Sequence, residues 1–227
     1  KNFFEPKSIA VIGASRNPRK PGNIILKNLV EMQYAGNIFA VNKKAVEVLG
    51  KKSYLSIKDI QEQVDLAIIA TPANTVHGLL EECALKKIND VLVISGGFSE
   101  AGNEKEEEKI RDLIKKKKLN VLGVNCLGIF DSYSNLDTIF NPREKMERPK
   151  KGGISVLCQS GAVGSVILDV MAKENYGLRR FISYGNATGL DESDFIDYLG
   201  KDEKTKVICL YIEGIQNGEK FLEVCKK

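Results

Sequence analysis

Residues Ser8–Ser15 read SIAVIGAS. Ile9–Ile12 are apolar on both faces and run into Gly13, which describes a strand buried on either side and a tight turn behind it. The stretch Gly22–Gln33 then places Ile24, Ile25, Leu29 and Met32 at helical spacing. The same grammar recurs downstream. Strand-length runs at Asn37–Val41, Asp65–Ala70, Asp90–Ser95 and Asn120–Val124 are interleaved with helical stretches at Thr75–Lys87 and Glu104–Lys118. Apolar strands alternating with amphipathic helices predict a parallel sheet covered on both sides.

Right-handed crossovers turn this alternation into a Rossmann-like α/β domain over residues 1–130. Residues 131–152 are polar, carry Pro142 and Pro149, and end at Lys150-Lys151-Gly152, which predicts a linker. A second alternation fills residues 153–227: strand Ile154–Cys158, helix Ala162–Asn175, strand Arg180–Tyr184, helix Glu192–Gly200, strand Val207–Ile212 and helix Gly218–Lys226. Doubly wound domains usually have about five strands. The second unit is therefore expected to be the first part of a larger α/β domain.

Composition excludes several chemistries. The 227 residues contain one histidine, His77, and no tryptophan, so a multi-histidine zinc site is impossible. Net charge is +4, too small to point to nucleic acid as the main ligand. The charge is uneven: residues 1–150 hold 24 basic and 19 acidic side chains, and residues 151–227 hold 10 and 11. Five widely spaced cysteines without a CxxC pair predict neither a disulfide framework nor a metal knuckle, and they suit a reducing cytoplasm. The longest apolar runs are strand-sized, so no membrane span or signal peptide is expected.

In a doubly wound sheet, ligands collect at the carboxyl ends of the strands. The first such loop, Gly13–Gly22, offers a tight turn and a helix N-terminus to an anion, although Ser15 and Pro18 stand where a GxGxxG fingerprint has its second and third glycines. The second loop, Val41-Asn42-Lys43-Lys44, is basic where an NAD site places an acid. That pattern favours a phosphorylated ribose, as in NADP or coenzyme A (CoA). Cys158 and Ala162 stand where Gly-x-Ser-x-Gly needs glycines, which disfavours a hydrolase at Ser160.

The ordered set SIAVIGAS (8–15), VNK (41–43), ATPA (70–73), ISGGF (94–98), GVNCLGI (123–129), CQSGA (158–162), SYGN (183–186), DESDFIDYL (191–199) and LYIEGI (210–215) resembles the NDP-forming acyl-CoA synthetases. The likeness is to the α part of the ADP-forming acetyl-CoA synthetases and to the related succinyl-CoA synthetase α subunit. It implies a Rossmann-like CoA-binding domain followed by part of a flavodoxin-like domain. It also implies interconversion of acyl-CoA, ADP and phosphate with acid, CoA and ATP, through an acyl phosphate and a phosphorylated histidine that lies beyond this chain.

By the same resemblance, Gly13, Ala14, Ser15 and Lys20 hold the CoA phosphates, and Asn42 and Lys43 hold the phosphorylated ribose. Pro72, Ser95, Gly96, Gly97 and Phe98 line the adenine side and the pantetheine arm, and Asn125 stands near the thiol. Ser160 and Gly161 form a phosphate cradle, and Glu213 is the partner of the histidine. Cys126 has no local histidine to activate it and reads as a packed, inert thiol. Asp191, Glu192 and Asp194 read as helix N-terminal acids, and no role is carried onto Thr188-Gly189. Within the chain no metal site is expected. ADP or ATP with Mg²⁺ would sit on an ATP-grasp partner, fused or separate, in an oligomeric enzyme that takes a small carboxylic acid. The open alternatives are a CoA-binding regulatory region of an acetyltransferase fusion and an NADP-dependent oxidoreductase domain.

Overall fold

The computed structural model describes residues 3–227. Strand β1 (Ser8–Ile12) is buried throughout, and α1 (Pro21–Glu31) follows it with proline at its first position, where the missing N–H costs no bond. The chain continues through β2 (Asn37–Val41), β3 (Glu47–Val48), β4 (Lys51–Tyr54), β5 (Leu66–Ile69), α2 (Val76–Leu85), β6 (Asp90–Val93), α3 (Glu104–Lys117) and β7 (Asn120–Gly123). These strands form a sheet in the order β3-β4-β2-β1-β5-β6-β7, parallel except for the β3–β4 hairpin. The order reverses beside β1, so the carboxyl ends of β1, β2 and β5 surround a crevice. The β3–β4 hairpin is absent from the sequence-based expectation. Its short strands, charged at Glu47, Lys51 and Lys52, lie at the sheet edge, where such residues blunt further pairing and leave little apolar pattern to read.

Glycine supplies the close helix-to-strand approach at an unexpected position. A Cβ on Gly22 would stand 2.1 Å from the carbonyl oxygen of Gly13, so α1 can begin this close to the β1 turn only with glycine there. Gly22 therefore does the packing work of the fingerprint's third glycine, nine residues after the first rather than five. On α1, Ile25, Leu26 and Leu29 are fully buried, each contributing about 1.5–3 kcal/mol. In α3, Glu104, Glu106 and Glu107 occupy the first turn and Lys115–Lys117 the last, in line with the helix dipole.

The second sheet contains β8 (Ile129–Asp131), β9 (Leu136–Asp137), β10 (Lys151–Cys158), β11 (Leu178–Ser183) and β12 (Val207–Tyr211), ordered β12-β10-β11-β8-β9. Helices α4 (Gly161–Lys173), α5 (Glu192–Gly200) and α6 (Gly218–Cys225) complete it. At the end of the expected first domain, β8 instead pairs antiparallel with β11, and β9, inside the stretch expected as a linker, pairs antiparallel with β8. The cause is electrostatic and long-range. Asp131 receives Arg179 and Arg180 at 2.8 Å each in near-complete burial, and the partly buried Asp202 binds Arg179 at 2.8 Å. Arg180 also lies over the rings of Phe4 and Tyr198, at 4.6 and 5.0 Å.

The two sheets share one apolar cluster, in which Ile9, Leu92 and Leu122 pack with Ile129, Leu157, Ile182 and Phe195. The segment after β11 runs along β7: the N–H groups of Asn186, Thr188 and Leu190 donate to the carbonyls of Val124, Gly123 and Val121 at 3.0, 3.0 and 2.8 Å. Gly185 permits the approach, with φ of +58° and no room for a Cβ beside the Val124 carbonyl. Among the described residues, no helix is long and apolar enough to cross a membrane.

Candidate functional site

The ends of β1, β2 and β5 open onto a cavity of about 570 Å³ lined by Gly13, Asn42, Lys43 and Pro72, together with residues of the loop after β4 and of α2. Four of the residues expected to bind cofactor are thus brought together by the sheet order. Their side chains do different work. The Asn42 carboxamide donates to the Ala14 carbonyl and accepts from the N–H groups of Lys44 and Ala45, so it shapes the turn that presents Lys43. Ser15 likewise accepts the Asn17 N–H at 3.1 Å within its own loop. Ala14 is fully buried, and Lys20 is exposed at the cap of α1, outside the lining of the cavity.

The ISGGF turn is tied into the fold. Ser95 Oγ donates to the Thr71 carbonyl at 2.6 Å, joining the ends of β5 and β6. Phe98 is 2% exposed and packs in the core, and the N–H of Gly97 donates to the Glu100 carboxylate. Ser95, Gly96, Gly97 and Phe98 line neither this cavity nor the larger one between the sheets.

That larger cavity, about 730 Å³, is lined by Asn125 from the first unit and by Gln159, Ser160, Gly161 and Glu213 from the second. Asn125 therefore stands with the residues expected for phosphate chemistry rather than with Lys43. Ser160 caps α4, its Oγ accepting the Val163 N–H at 3.3 Å while its carbonyl accepts that of Gly164. Gly161 and Ala162 contribute the first amides of the helix, which have no intrahelical acceptor and line the cavity. With the positive end of the helix dipole behind them, these groups suit an anion.

Residues without an assigned role in the sequence reading complete the site. Gln159 Oε1 accepts the N–H of Glu213 at 2.8 Å and of Gly214 at 3.2 Å, holding the loop after β12 against the start of α4. Asn186 bridges the units: its Nδ2 donates to Glu100 at 2.7 Å and Glu107 at 2.9 Å, and its Oδ1 accepts from Asn125 at 3.2 Å. A carboxylate only accepts, so the two acids fix which way the Asn186 amide points. Thr188 Oγ1 also donates to Glu107, at 2.8 Å. Burial alone would raise the Glu107 pKa, but hydrogen bonds from Ser99, Asn186 and Thr188 outweigh it and hold the carboxyl below its ordinary value. The only local sign of this bridge was the polar SYGN turn, which gives no hint of partners some 80 residues away.

Cys126 is 2% exposed, its thiol donates to the Val93 carbonyl at 3.2 Å, and burial pushes its pKa well up, as an inert packed thiol requires. Burial, opposed by the Ser160 backbone and aided by Glu213, raises Cys158 to about 11. His77 lies on α2 with its side chain 46% exposed, beside Glu81 and outside the lining of both cavities. Among the described residues, no group of three or more His, Cys, Asp or Glu side chains is placed to hold a metal ion.

Residues 7–131 match the family described as CoA binding domain, which takes in more than half of the chain. The chain belongs to this CoA-binding domain family. Behind the CoA-binding unit, residues 151–227 match the Succinyl-CoA ligase like flavodoxin domain. The α subunit of ADP-forming acetate–CoA ligase II from Pyrococcus furiosus is 42% identical over 227 residues, covering 99% of this chain and 48% of that protein. The ADP-forming acetate–CoA ligase of Methanocaldococcus jannaschii is 41% identical, over 98% of this chain and 30% of that protein. Among solved structures, the dinucleotide forming acetyl-coenzyme A synthetase 1 of Ca. Korarchaeum cryptofilum, in complex with phosphate and ADP, superposes with a TM-score of 0.92 at 34% identity, over 98% of this chain and 48% of that one. This member of the CoA-binding family thus spans about half or less of the length of these relatives.

Proposed function

We propose that this chain is the CoA-binding α portion of an ADP-forming acyl-CoA synthetase. The carrying observation is the 730 Å³ cavity, where Asn125 of the CoA-binding unit faces the Ser160–Gly161 helix start and Glu213 of the second unit. An acyl group held at the first unit and a phosphate held at the second would meet there.

The residues present suit CoA. The 570 Å³ cavity lies at the point where strand order reverses, with Lys43 on its wall for a phosphorylated ribose and the α1 N-terminus beside it for the diphosphate. Gly13 and the loop through Lys20 would hold the phosphates, and Asn42 would set Lys43. Bound CoA would supply a thiol to carry the acyl group. Asn125 would orient that end of the site, and the Gly161 and Ala162 amides would neutralise phosphate charge without reorganising. The N–H groups that Gln159 fixes leave the Glu213 carboxylate free to accept from an imidazole and set its tautomer. His77 lies outside that cavity, so this imidazole would come from elsewhere in the enzyme, as would an ATP-grasp partner for ADP, ATP and Mg²⁺.

Two measurements on the full-length protein test the reading. Calorimetry should show CoA binding more tightly than dephospho-CoA, and equal affinities would remove the role of Lys43. Glu213→Gln should lower histidine phosphorylation while CoA affinity holds; normal phosphoenzyme formation would remove the role of Glu213.

A further inference from the structure

The clamp on Asn186 reaches one residue beyond its own amide. Asn186 Nδ2 carries two hydrogens, and the Glu100 and Glu107 carboxylates, at 2.7 and 2.9 Å, take both. Only Oδ1 is left to meet Asn125, so Asn125 must donate through its own Nδ2, as it does at 3.2 Å. The Asn125 amide is thereby turned with its oxygen on the far side. Two acids of the first unit thus dictate, through a residue that follows β11, that Asn125 presents an acceptor.

That oxygen faces a space kept open by Gly96. A Cβ on Gly96 would stand 2.8 Å from Asn125 Oδ1 and 3.1 Å from Glu100 Oε1, too close to the first and tight against the second. Gly96 lacks the positive φ of Gly97, so its backbone does not call for glycine and the space does. Among the described residues, no group donates to Asn125 Oδ1. Glu100 is a second acceptor. Burial would raise its pKa, but hydrogen bonds from Asn186 and from the N–H groups of Gly97 and Phe98 hold it below the ordinary value, so it is ionised and only accepts. Both residues line the 730 Å³ cavity, and among the described residues no lysine, arginine or histidine lines it.

We infer that Asn125 accepts a hydrogen bond from the thiol-bearing end of CoA in the space beside Gly96, and that Glu100 and Glu107, acting through Asn186, are positioning residues that fix the acceptor polarity of Asn125. The inference rests on the CoA-binding reading above and deepens it. The arm of CoA offers two donors near its end, the thiol S–H and the amide N–H nearest to it. Their shared chemistry is a neutral donor, which two facing acceptors select. A turned Asn125 amide would set N–H against that donor.

The test is calorimetry on the full-length protein with CoA, with desulfo-CoA, which lacks the S–H, and with an analogue carrying an ester oxygen in place of that amide N–H. In the wild type one analogue should bind about fivefold or more weakly than CoA, and which one it is identifies the donor. In Asn125→Ala all three ligands should bind within about twofold of one another. Asn186→Lys keeps a partner for both acids but donates to Asn125, turning its amide over, so the preference for CoA should vanish or reverse. Asn186→Ala, which leaves the amide free to turn, should reduce the preference to about half, and it carries the test if Asn186→Lys fails to fold. A merely structural clamp would weaken all three ligands alike and leave the ratio in place. Equal binding of both analogues and CoA in the wild type, or a ratio unchanged in Asn125→Ala, would overturn the contact. A ratio lost in Asn125→Ala but kept in both Asn186 variants would overturn the positioning role. No binding of CoA at all would overturn the CoA reading beneath them.

Discussion

Gln159 accepts the backbone N–H of Glu213 at 2.8 Å, tying the loop after β12 to the start of α4. Two loops from different strands are thereby held as one wall of the larger cavity, and a neutral side chain decides where a carboxylate stands.

Replacing Gln159 by leucine keeps approximate volume and removes the acceptor. Two backbone N–H groups are then released and Glu213 loses its fixed position, so on the proposed function histidine phosphorylation in the full-length protein should fall by about ten- to a hundredfold. CoA affinity, set at the other cavity, should change by less than about twofold. Phosphorylation measured against CoA titration separates the two effects, and an unchanged phosphorylation rate removes Gln159 from the site.

Asp131 is a point of high stability cost. It receives two buried guanidiniums at 2.8 Å, so Asp131→Ala leaves Arg179 and Arg180 short of their shared partner. The expected loss is about 3–5 kcal/mol, read as a lower urea midpoint. A loss below about 1 kcal/mol would show that β8 is held to β11 by apolar contacts instead.

Glu107 predicts an acid dependence. Its folded pKa lies below the ordinary value of 4.5, so the unfolded chain takes up its proton first as pH falls. The stability it contributes is fully present above pH 4.5 and drains as pH drops through the depressed folded value. Thermal unfolding of wild type and Glu107→Gln should differ most near neutral pH and converge toward pH 3, within about a degree. Parallel curves across that range would count against the linkage.

The cysteines divide by burial. Cys126 and Cys83 have raised pKa values from burial, Cys83 to about 12, whereas Cys209 and Cys225 are exposed. Under native conditions at pH 8, iodoacetamide should label Cys209 and Cys225 and leave Cys83 and Cys126 unlabelled for hours. Cys126→Ala should retain acyl transfer within about threefold. Rapid labelling of Cys126, or loss of acyl transfer in Cys126→Ala, would restore a chemical role for that thiol.

The strands at 8–12, 37–41, 66–69, 90–93 and 120–123 were legible because each carries its burial in its own composition. The position of Lys43 on the wall of the 570 Å³ cavity follows from its place after the second strand, since the loops at the carboxyl ends of such strands face the crevice. Short segments were not legible. Lys51–Tyr54 and Leu136–Asp137 are strands only because a neighbour pairs with them, and their polar residues look like loop. Gly22 was passed over because it lies outside the expected fingerprint spacing, and its closeness to Gly13 exists only in the folded turn.

By itself, the sequence determined the alternation of strands and helices, the parallel sheet and the loops where chemistry could lie, because periodicity records which face of each element is dry. Tertiary structure alone decided that Asn125 joins Ser160, Gly161 and Glu213, that the Asn42 carboxamide is consumed in building its turn, and that Asn186 is clamped between Glu100 and Glu107. Asn125 and Asn186 are 61 residues apart, and such a contact depends on how two sheets dock over a shared core, which no local pattern encodes.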